Sequence, residues 1–329
     1  MKKTLITTVP FGCQNRFPLE ILEDNNIEYT INPYNTKLKE NQLYELASSG
    51  IDTIIAGTEP ITRKVIENAK DLKHISRVGI GVDSVDLIAA KEKGIKVSYT
   101  PDAPAPAVAE LTIGLMLSLL RGIHISNSQL HGGNWQRLYG RRIPNITIGI
   151  IGIGRIGTGV LRRLKSFGLP RILVNDVMPN LELNREFKME WVSKEVIYKE
   201  ADLISLHVPL TQKTKNMIGS KELSMMKSDA ILINTSRGGI INEKDLYDSL
   251  KNNHLSGAAI DVFENEPYTG PLTEISNCIL TAHMGSMSVD CRTRMEIEAT
   301  EETIRFFKGE TLLSEVPESE YKLQELYIN

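Results

Sequence analysis

The sequence predicts an α/β protein made of two doubly wound domains. Short β-branched runs alternate with amphipathic helical stretches along almost all of the 329 residues, a pattern typical of parallel sheets covered by helices on both faces. Two series of such units are separated by the prolines at 101, 104 and 106 and a long apolar stretch. A chain of this length also suits two domains better than one.

Composition excludes several classes of protein. Hydrophobic residues make up 41% and charged residues 24% of the chain, as in an ordinary globular protein and unlike a disordered or collagen-like one. The formal net charge is -3. Because there is no basic excess, we expect no nucleic-acid partner.

Three further features predict where the protein works. Residues 4–10 lack the long apolar core and the small-residue cleavage site of a secretion signal. The longest apolar run, residues 111–120, is too short to span a bilayer. The three cysteines form no CxxC pair, which suits a reducing compartment. We therefore expect a cytoplasmic protein with no membrane partner.

The first series of elements predicts a small five-stranded domain. Its strands are expected at residues 4–9, 29–32, 52–56, 75–79 and 96–100, with helices at 18–26, 39–48, 62–69 and 85–93. A long helix is expected over about 107–124, and another over 292–308 that ends at Gly309. Residues 315–329 are compatible with either a docked helix or a frayed tail. We predict one domain from residues 1–100 with 288–329, and a second from 101–287.

The second series opens with a glycine pattern at a strand-to-helix junction. A strand over residues 147–151 runs directly into Gly152-Ile-Gly154-Arg-Ile-Gly157, and a helix follows. In such a junction Gly152 allows a tight turn, Gly154 lets the backbone approach a pyrophosphate, and Gly157 lets helix and strand pack closely. The free N–H groups and the helix dipole favour phosphates. The pattern predicts a Rossmann domain that binds a dinucleotide.

Asp176 indicates which dinucleotide is bound. It follows the next strand, residues 171–175, where a carboxylate accepts hydrogen bonds from the ribose hydroxyls of the adenosine and repels the extra phosphate of NADP. Residues 177–179 include no arginine that would bind that phosphate. We therefore predict NAD as the cofactor. The alternative interpretation is that Asp176 only caps a turn.

Three later strand ends carry unusual polar residues. Arg237 follows a buried strand and precedes two glycines, Asp261 and Glu266 follow the next strand, and His283 follows the last one. Ligands of open α/β sheets bind beyond the carboxyl ends of the strands, so these ends should converge. Each residue alone is more typical of a structural role. Their joint occurrence, in order, favours a catalytic set.

The sequence resembles the D-isomer-specific 2-hydroxyacid dehydrogenase family. The likeness covers nearly the whole chain and includes Arg77-Val-Gly-Ile-Gly-Val-Asp83, Val108-Ala-Glu-Leu111, the glycine pattern and the three strand ends. Within the family its motifs are nearest to those of D-3-phosphoglycerate dehydrogenases. The resemblance implies a Rossmann NAD-binding domain inserted in a flavodoxin-like substrate domain. It also implies hydride transfer between NAD and a D-2-hydroxy acid or its 2-oxo acid, with D-3-phosphoglycerate and phosphohydroxypyruvate as one candidate pair.

The resemblance assigns a role to each catalytic residue. Arg237 would hold the α-carboxylate with its planar fork. His283 would give or take the hydroxyl proton, and Glu266 would orient that imidazole and favour its protonated form. Further positions carried over from the family are Gly79, Ile80 and Gly81 for the substrate, and Arg155, Ile156, His207, Pro209, Thr235, Ser236, Asp261 and Gly285 for the cofactor. No metal is expected. The apolar helix after Ala107 and residues 132–135 are similar to the family's dimer arm, which implies a homodimer.

Three departures from the family pattern affect the expected substrate and regulation. Ala282 stands where members commonly have a proline before the histidine, which leaves the imidazole available. Residues 104–107, Pro-Ala-Pro-Ala, supply no side-chain hydrogen bonds, whereas phosphoglycerate dehydrogenases carry polar residues there; this counts against phosphoglycerate. The short stretch after residue 308 leads us to expect no appended regulatory domain. Two alternatives stay open: a non-enzymatic NAD(H)-sensing protein on the same fold, and a dehydrogenase for a larger sugar-derived or phosphorylated acid.

Overall fold

The computed structural model describes residues 2–48, 50–168 and 170–328, with the backbone alone at residues 326–328. The chain divides into two compact units. The first combines Met1–Pro104 with Ser286–Asn329, and the second is the continuous stretch Ala105–Gly285. The predicted α/β class is confirmed, because each unit is built on a sheet whose strand pairs are parallel. That the first unit binds the substrate stays a prediction.

Five strands form the sheet of the first unit, in the order β2-β1-β3-β4-β5. Their bounds are β1 Lys3–Ile6, β2 Glu28–Ile31, β3 Thr53–Ala56, β4 His74–Arg77 and β5 Lys96–Tyr99. β3 and β4 are buried throughout, as central parallel strands are when helices cover both faces. The chain passes from β1 to β2 on one side and then to β3 on the other, which is the flavodoxin-like order.

Four helices connect these strands. They are α1 Phe17–Asp24, α2 Glu40–Ala47, α3 Arg63–Asn68 and α4 Leu87–Glu92. Thr62 and Asp86 precede α3 and α4, and their side chains accept a backbone N–H of the first turn, which stabilises each helix start. Leu43, Val65 and Leu87 from α2, α3 and α4 join one core with the strands.

Seven strands form the sheet of the second unit, in the order β12-β11-β10-β9-β6-β7-β8. Their bounds are β6 Thr147–Ile151, β7 Arg171–Asn175, β8 Glu190–Trp191, β9 Leu203–Leu206, β10 Ile231–Asn234, β11 Gly257–Ile260 and β12 Cys278–Leu280. The chain moves outward from β6 to β8 and then returns to β9 on the other side of β6. This is the Rossmann order with one added strand, and it creates a switch point between β6 and β9.

Helices cover both faces of this second sheet. The helices of the second unit are α5 Pro104–Arg121, α6 Ile123–His131, α7 Arg155–Leu164, α8 Lys194–Glu200, α9 Ser220–Met225 and α10 Glu243–Lys251, of which α6 has no buried residue. Residues of α5 and α7 share one hydrophobic core with the strands, and residues of α8, α9 and α10 share another. Two separate cores on one sheet are what a doubly wound unit requires.

The long helix differs from its prediction at both ends. α5 begins at Pro104, not near residue 107, because prolines are tolerated in a first helical turn, where no N–H is needed. It ends at Arg121, since Gly122 is left-handed with φ 60°. By length and composition α5 is the one described helix that passes as a candidate membrane span, because the helix extends the apolar run 111–120 to 18 residues. Its Ile113 and Met116 lie in a protein core.

The last part of the chain returns to the first unit. α11 Val289–Lys308 packs on α1 and across β3, β4 and β5, and α12 Glu318–Ile328 packs on α4. The side chain of Gln324 accepts the N–H of Leu87 at 2.6 Å and donates to the carbonyl of Val85 at 2.7 Å. Of the two possibilities for the end of the chain, the structure therefore shows the docked helix, over Glu318–Ile328, while residue 329 lies outside the described residues.

Candidate active site

The glycine turn after β6 shows three different reasons for glycine. Gly152 has φ 96°, and a β-carbon there would lie 2.3 Å from the carbonyl oxygen of His207, which follows β9. A β-carbon at Gly157 would lie 2.0 Å from the carbonyl oxygen of Gly152. At Gly154, by contrast, an added β-carbon would meet no atom within 4 Å. The turn is closed toward the sheet and open at Gly154, which is the shape that a bound pyrophosphate needs.

Asp176 is tied to this turn. Its Oδ2 accepts the N–H of Ile153 at 2.7 Å, and its Oδ1 accepts the N–H of Met178 at 2.9 Å. The half-buried carboxylate therefore supports the glycine turn and also caps a turn of its own. The structure therefore shows the turn-capping contact of the alternative interpretation, and contact with a ribose stays a prediction. The side chains of Val177 and Met178 beside it are exposed and bring no cation.

His283 and Glu266 form a hydrogen-bonded pair. The imidazole Nδ1 lies 2.9 Å from Oε1 and 3.0 Å from Oε2 of Glu266. The histidine side chain is 35% exposed and the glutamate side chain 18%. In the described part of the chain Nε2 makes no hydrogen bond, so this nitrogen is available to exchange a proton with a ligand.

Asp261 holds the loop that carries His283. Its buried carboxylate accepts Thr281 Oγ1–H at 2.6 Å and the N–H groups of Met284 and Gly285 at 2.8 and 2.9 Å. Burial raises the pKa of this carboxyl. His283 itself has φ 49°, a left-handed conformation that costs free energy in a residue other than glycine. The three contacts of Asp261 stabilise that backbone.

Arg237 stands on a turn shaped by Asn234. The Asn234 Oδ1 accepts the N–H of Ser236 at 3.0 Å and its hydroxyl at 2.7 Å, while the Nδ2 donates to the carbonyl of Arg237 at 2.8 Å. Arg237 donates through Nη1 to the carbonyl of Ser236 at 2.7 Å. The Thr235 hydroxyl lies 2.9 Å from that of Thr112. The half-buried guanidinium is thus presented from a braced turn.

The strand order places these residues along one edge of the second sheet. All seven strands are parallel and their carboxyl ends meet at the same edge. From one side to the other the strands β12, β11, β10, β9, β6 and β7 are followed by His283, Asp261, Arg237, His207, Gly152 and Asp176. The structure therefore brings the predicted acid–base pair, the predicted cation and the dinucleotide turn to one edge, with the switch point between them.

Residues 113–285 match the family model of the D-isomer specific 2-hydroxyacid dehydrogenase, NAD binding domain. The match spans more than half of the chain. The chain belongs to this family. Its second unit is therefore the NAD-binding domain of a D-2-hydroxyacid dehydrogenase, and the predicted cofactor, NAD, is confirmed at that level.

Named relatives of this dehydrogenase differ in their substrates. It is 40% identical to a D-3-phosphoglycerate dehydrogenase of Methanocaldococcus jannaschii, over 83% of the chain and 52% of that protein, so it spans about half the length of that relative. It is 37% identical to a hydroxypyruvate reductase of Thermotoga maritima, over 82% and 88% of the two chains. A glyoxylate reductase from Paecilomyes thermophila superposes with a TM-score of 0.83 at 30% identity, covering 97% of this chain and 99% of that one.

His207 lies where the family resemblance predicts a cofactor contact. Its Nε2 is 2.9 Å from the hydroxyl of Ser205, and its Nδ1 has no partner among the described residues. Burial lowers the pKa of His207 to about 4, so the dehydrogenase carries a neutral imidazole there near pH 7. Pro209 is exposed and its carbonyl accepts the hydroxyl of Thr214 at 2.6 Å. Arg155 and Ile156 begin α7 directly after Gly154.

The predicted substrate turn lies in the first unit, after β4. The N–H of Gly79 already donates to Thr100 Oγ1 at 2.7 Å, and Gly79 has φ 138°. Within the described residues the N–H groups of Ile80 and Gly81 make no hydrogen bond to the protein. The N–H of Gly79 is thus used inside the unit, and the contact of this turn with a substrate stays a prediction.

Two residues that hold the turns of the site were not predicted from the sequence. Asn234 braces the Arg237 turn, and Glu243 at the start of α10 accepts the N–H of Glu264 at 2.7 Å. An asparagine at a strand end and a glutamate in a first helical turn are common, so neither carried a specific signal. The described residues hold no group of three or more His, Cys, Asp or Glu side chains that could bind a metal ion.

Proposed function

We propose that this chain interconverts a D-2-hydroxy acid and its 2-oxo acid, with NAD as the hydride carrier and His283 as the acid–base. The observation that carries the proposal is the contact of His283 Nδ1 with both oxygens of Glu266. A carboxylate at Nδ1 fixes the tautomer in which Nε2 can take a proton, and it stabilises the imidazolium that results.

Each charged residue then has a task. In oxidation, His283 Nε2 accepts the proton of the substrate hydroxyl, and in reduction the imidazolium returns it to the carbonyl oxygen. The Arg237 guanidinium binds the α-carboxylate through two parallel N–H donors. Bound NAD would supply the hydride acceptor for the substrate C2 in oxidation, and NADH the hydride donor in reduction.

The cofactor site favours NAD over NADP by charge. The Gly152–Gly157 turn leaves open space at Gly154 for a pyrophosphate, and Asp176 lies beside that turn through its contact with Ile153. A carboxylate there accepts ribose hydroxyls and repels a 2′-phosphate. We propose that Thr235, Ser236, His207, Asp261 and Gly285 border the same cofactor, since they lie along the same sheet edge.

The substrate we propose is a small 2-oxo acid without a phosphate, such as glyoxylate or hydroxypyruvate. Names of relatives support this class as well as phosphohydroxypyruvate. Residues 104–107 favour the smaller acids, because their proline and alanine side chains offer no donor to a phosphate. The role of Ile80 and Gly81 at the substrate carboxylate is part of the same proposal.

A panel of 2-oxo acids tests this proposal. Purified protein is mixed with NADH and glyoxylate, hydroxypyruvate, pyruvate or phosphohydroxypyruvate, and nicotinamide absorbance is followed. Turnover with unphosphorylated acids supports the proposal, and fastest turnover with phosphohydroxypyruvate would make the chain a phosphoglycerate dehydrogenase instead. If NADH binds but no acid reacts, the NAD(H)-sensing alternative replaces the enzyme.

We also propose that the dehydrogenase works as a homodimer in the cytoplasm. α6 has no buried residue, and the neighbouring apolar side chains Ile123, Leu130 and Trp135 are exposed, Trp135 to 81%. Contiguous exposed apolar surface is typical of protein–protein contacts. Light scattering after gel filtration should give twice the mass of the chain, and a Leu130→Asp variant should give the single mass.

A further inference from the structure

The turn that carries Arg237 and the turn that carries Glu266 are in backbone contact. A β-carbon at Gly238 would lie 2.1 Å from both the carbonyl carbon and oxygen of Phe263, and 2.6 Å from the nitrogen of Glu264. No side chain fits there without displacing main chain. The position of one turn therefore depends on the position of the other.

Glu243 links the same two segments a few residues later. It is the first residue of α10, which follows the Arg237 turn. Its half-buried side chain reaches back, and Oε1 accepts the N–H of Glu264 at 2.7 Å. The preceding N–H, that of Phe263, donates to Glu266 Oε1 at 3.2 Å. Two successive N–H groups of the Glu266 turn are thus held by two carboxylates.

The burial and the neighbouring charges of Glu243 disfavour an ionised carboxylate at this position. Burial, and then the charges of Glu264 and Glu266, raise the pKa of the Glu243 carboxyl. Like charges in proximity are unfavourable. A carboxylate retained beside two others needs a compensating contact, and the hydrogen bond from the N–H of Glu264 is such a contact.

We propose that Glu243 is a positioning residue for the dehydrogenase reaction. It acts by fixing the Glu266 turn against the Arg237 turn, so that the His283–Glu266 pair and the Arg237 guanidinium keep one relative geometry. The proposal rests on the function proposed above for Arg237, Glu266 and His283. It assigns Glu243 no contact with substrate or cofactor.

Three variants test the role of Glu243. Glu243→Ala removes the acceptor, Glu243→Gln keeps an acceptor oxygen without the charge, and Glu222→Ala is the matched control. Glu222 is also a glutamate in the first turn of a helix, α9, and its Oε2 accepts a backbone N–H, that of Gly219, at 3.1 Å. The control turn carries none of the proposed catalytic residues.

The expected kinetic result is a lower kcat without any loss of NADH binding. Glu243→Ala should lower kcat on the order of tenfold to a hundredfold, as small misplacements of catalytic groups do, with the Kd of NADH unchanged. Glu243→Gln should recover most of that loss, and Glu222→Ala should leave kcat within about twofold of the original. Equal kcat values in Glu243→Ala and Glu222→Ala would overturn the proposal.

Hydrogen exchange tests the same contact without any turnover. In Glu243→Ala the amides of residues 261–267 should exchange on the order of tenfold faster, and in Glu243→Gln and Glu222→Ala they should exchange at the original rate. If the original protein turns over no acid, only the function proposed above fails. If exchange in residues 261–267 is the same in all four proteins, the positioning role of Glu243 fails.

Discussion

The two sheets differ at their switch points: one has an open glycine turn, and the other is occupied by buried polar side chains. In the second unit the switch point lies between β6 and β9, where the Gly152 turn and His207 leave Gly154 open. In the first unit it lies between β1 and β3. There Glu59, which is 2% exposed, accepts the hydroxyl of Thr7 and, at 2.8 Å, the N–H of Gly57.

A buried ion pair also lies at the switch point of the first unit. Arg292 from α11 donates to Glu296 Oε1 at 2.6 Å, to Thr8 Oγ1 at 2.9 Å and to the carbonyl of Pro10. Glu296 also accepts the N–H of Gly12 at 2.9 Å. One switch point thus has an open turn, and the other holds a hydrogen-bonded carboxylate and a buried ion pair. Charge at a strand end indicates reactivity only where part of it stays exposed, as at His283.

The largest effect should come from His283 at the open edge. His283→Ala removes the only acid–base of the proposed reaction, so kcat should fall by up to about 10⁴-fold, while NADH binding measured by fluorescence titration is retained. His254→Ala is the matched control, since the imidazole Nε2 of His254 bonds the backbone carbonyl of Leu223, at 2.9 Å, away from the proposed catalytic residues. Loss of NADH binding in His283→Ala would mean that the histidine is structural.

Removing Arg292 should lower the unfolding free energy without changing the binding of NADH. Arg292→Ala leaves Glu296 buried without its cation, which costs about 3–4 kcal/mol of unfolding free energy. Urea denaturation measures this loss, and the Kd of NADH should not change. The double variant Arg292→Met, Glu296→Leu should recover most of the stability. A double variant as unstable as the single one would show that these charges matter beyond their mutual pairing.

A smaller effect, on the preference for NADH over NADPH, is expected at Asp176 beside the open switch point. Asp176→Ala should narrow the preference for NADH over NADPH by about tenfold to a hundredfold, since the repulsion of a 2′-phosphate is lost. Asp176→Asn keeps an acceptor for the N–H of Ile153 and should narrow the ratio as well. The ratio of kcat/KM values measures it. A change in the alanine variant alone would leave Asp176 with only its turn-holding role.

The final expected effect, on the pH dependence of stability, concerns one neutral histidine in each unit. Burial lowers the pKa of His74 to about 3 and that of His207 to about 4, whereas an unfolded histidine titrates near 6.5. Below about pH 7 the unfolded chain therefore binds more protons. For each histidine the unfolding free energy should fall by about 0.7 kcal/mol per pH unit near pH 6.5 and by nearly 1.4 kcal/mol per pH unit near pH 5. Urea denaturation at pH 7, 6 and 5 checks this. His74→Asn should show a shallower slope, and an unchanged slope would contradict the assignment.

Much of the second unit could be predicted because its signals are local. The β6 strand, the glycine turn and Asp176 lie within one short stretch, and Gly157 is required by the carbonyl of Gly152, only five positions before it. The catalytic set was predicted from its order along the chain. The contacts that hold it could not be, because Glu243 reaches Glu264 and Asp261 reaches Gly285 only once the strands are adjacent.

The first unit was harder to predict beyond its strands. Arg292 and Thr8 are separated by 284 positions, and no periodicity reports such a contact. The N–H of Gly79 is used by Thr100, which depends on the pairing of β4 with β5. The final helix was undecided because its hydrophobic pattern is weak. Its docking depends on a few contacts, such as those of Gln324, that the sequence does not mark.

The first unit is built from two separate segments of the chain, and this has a consequence for biosynthesis. Ser76 in β4 donates to the carbonyl of Ala299, and His74 stacks on Phe306 with ring centroids 4.9 Å apart. During translation β1 to β5 leave the ribosome long before α11 exists to cover them. The continuous stretch 105–285 can fold in the meantime, as domains generally do. The face of the first sheet that α11 packs on therefore stays exposed until residues 289–308 are made, which is when a chaperone would matter most.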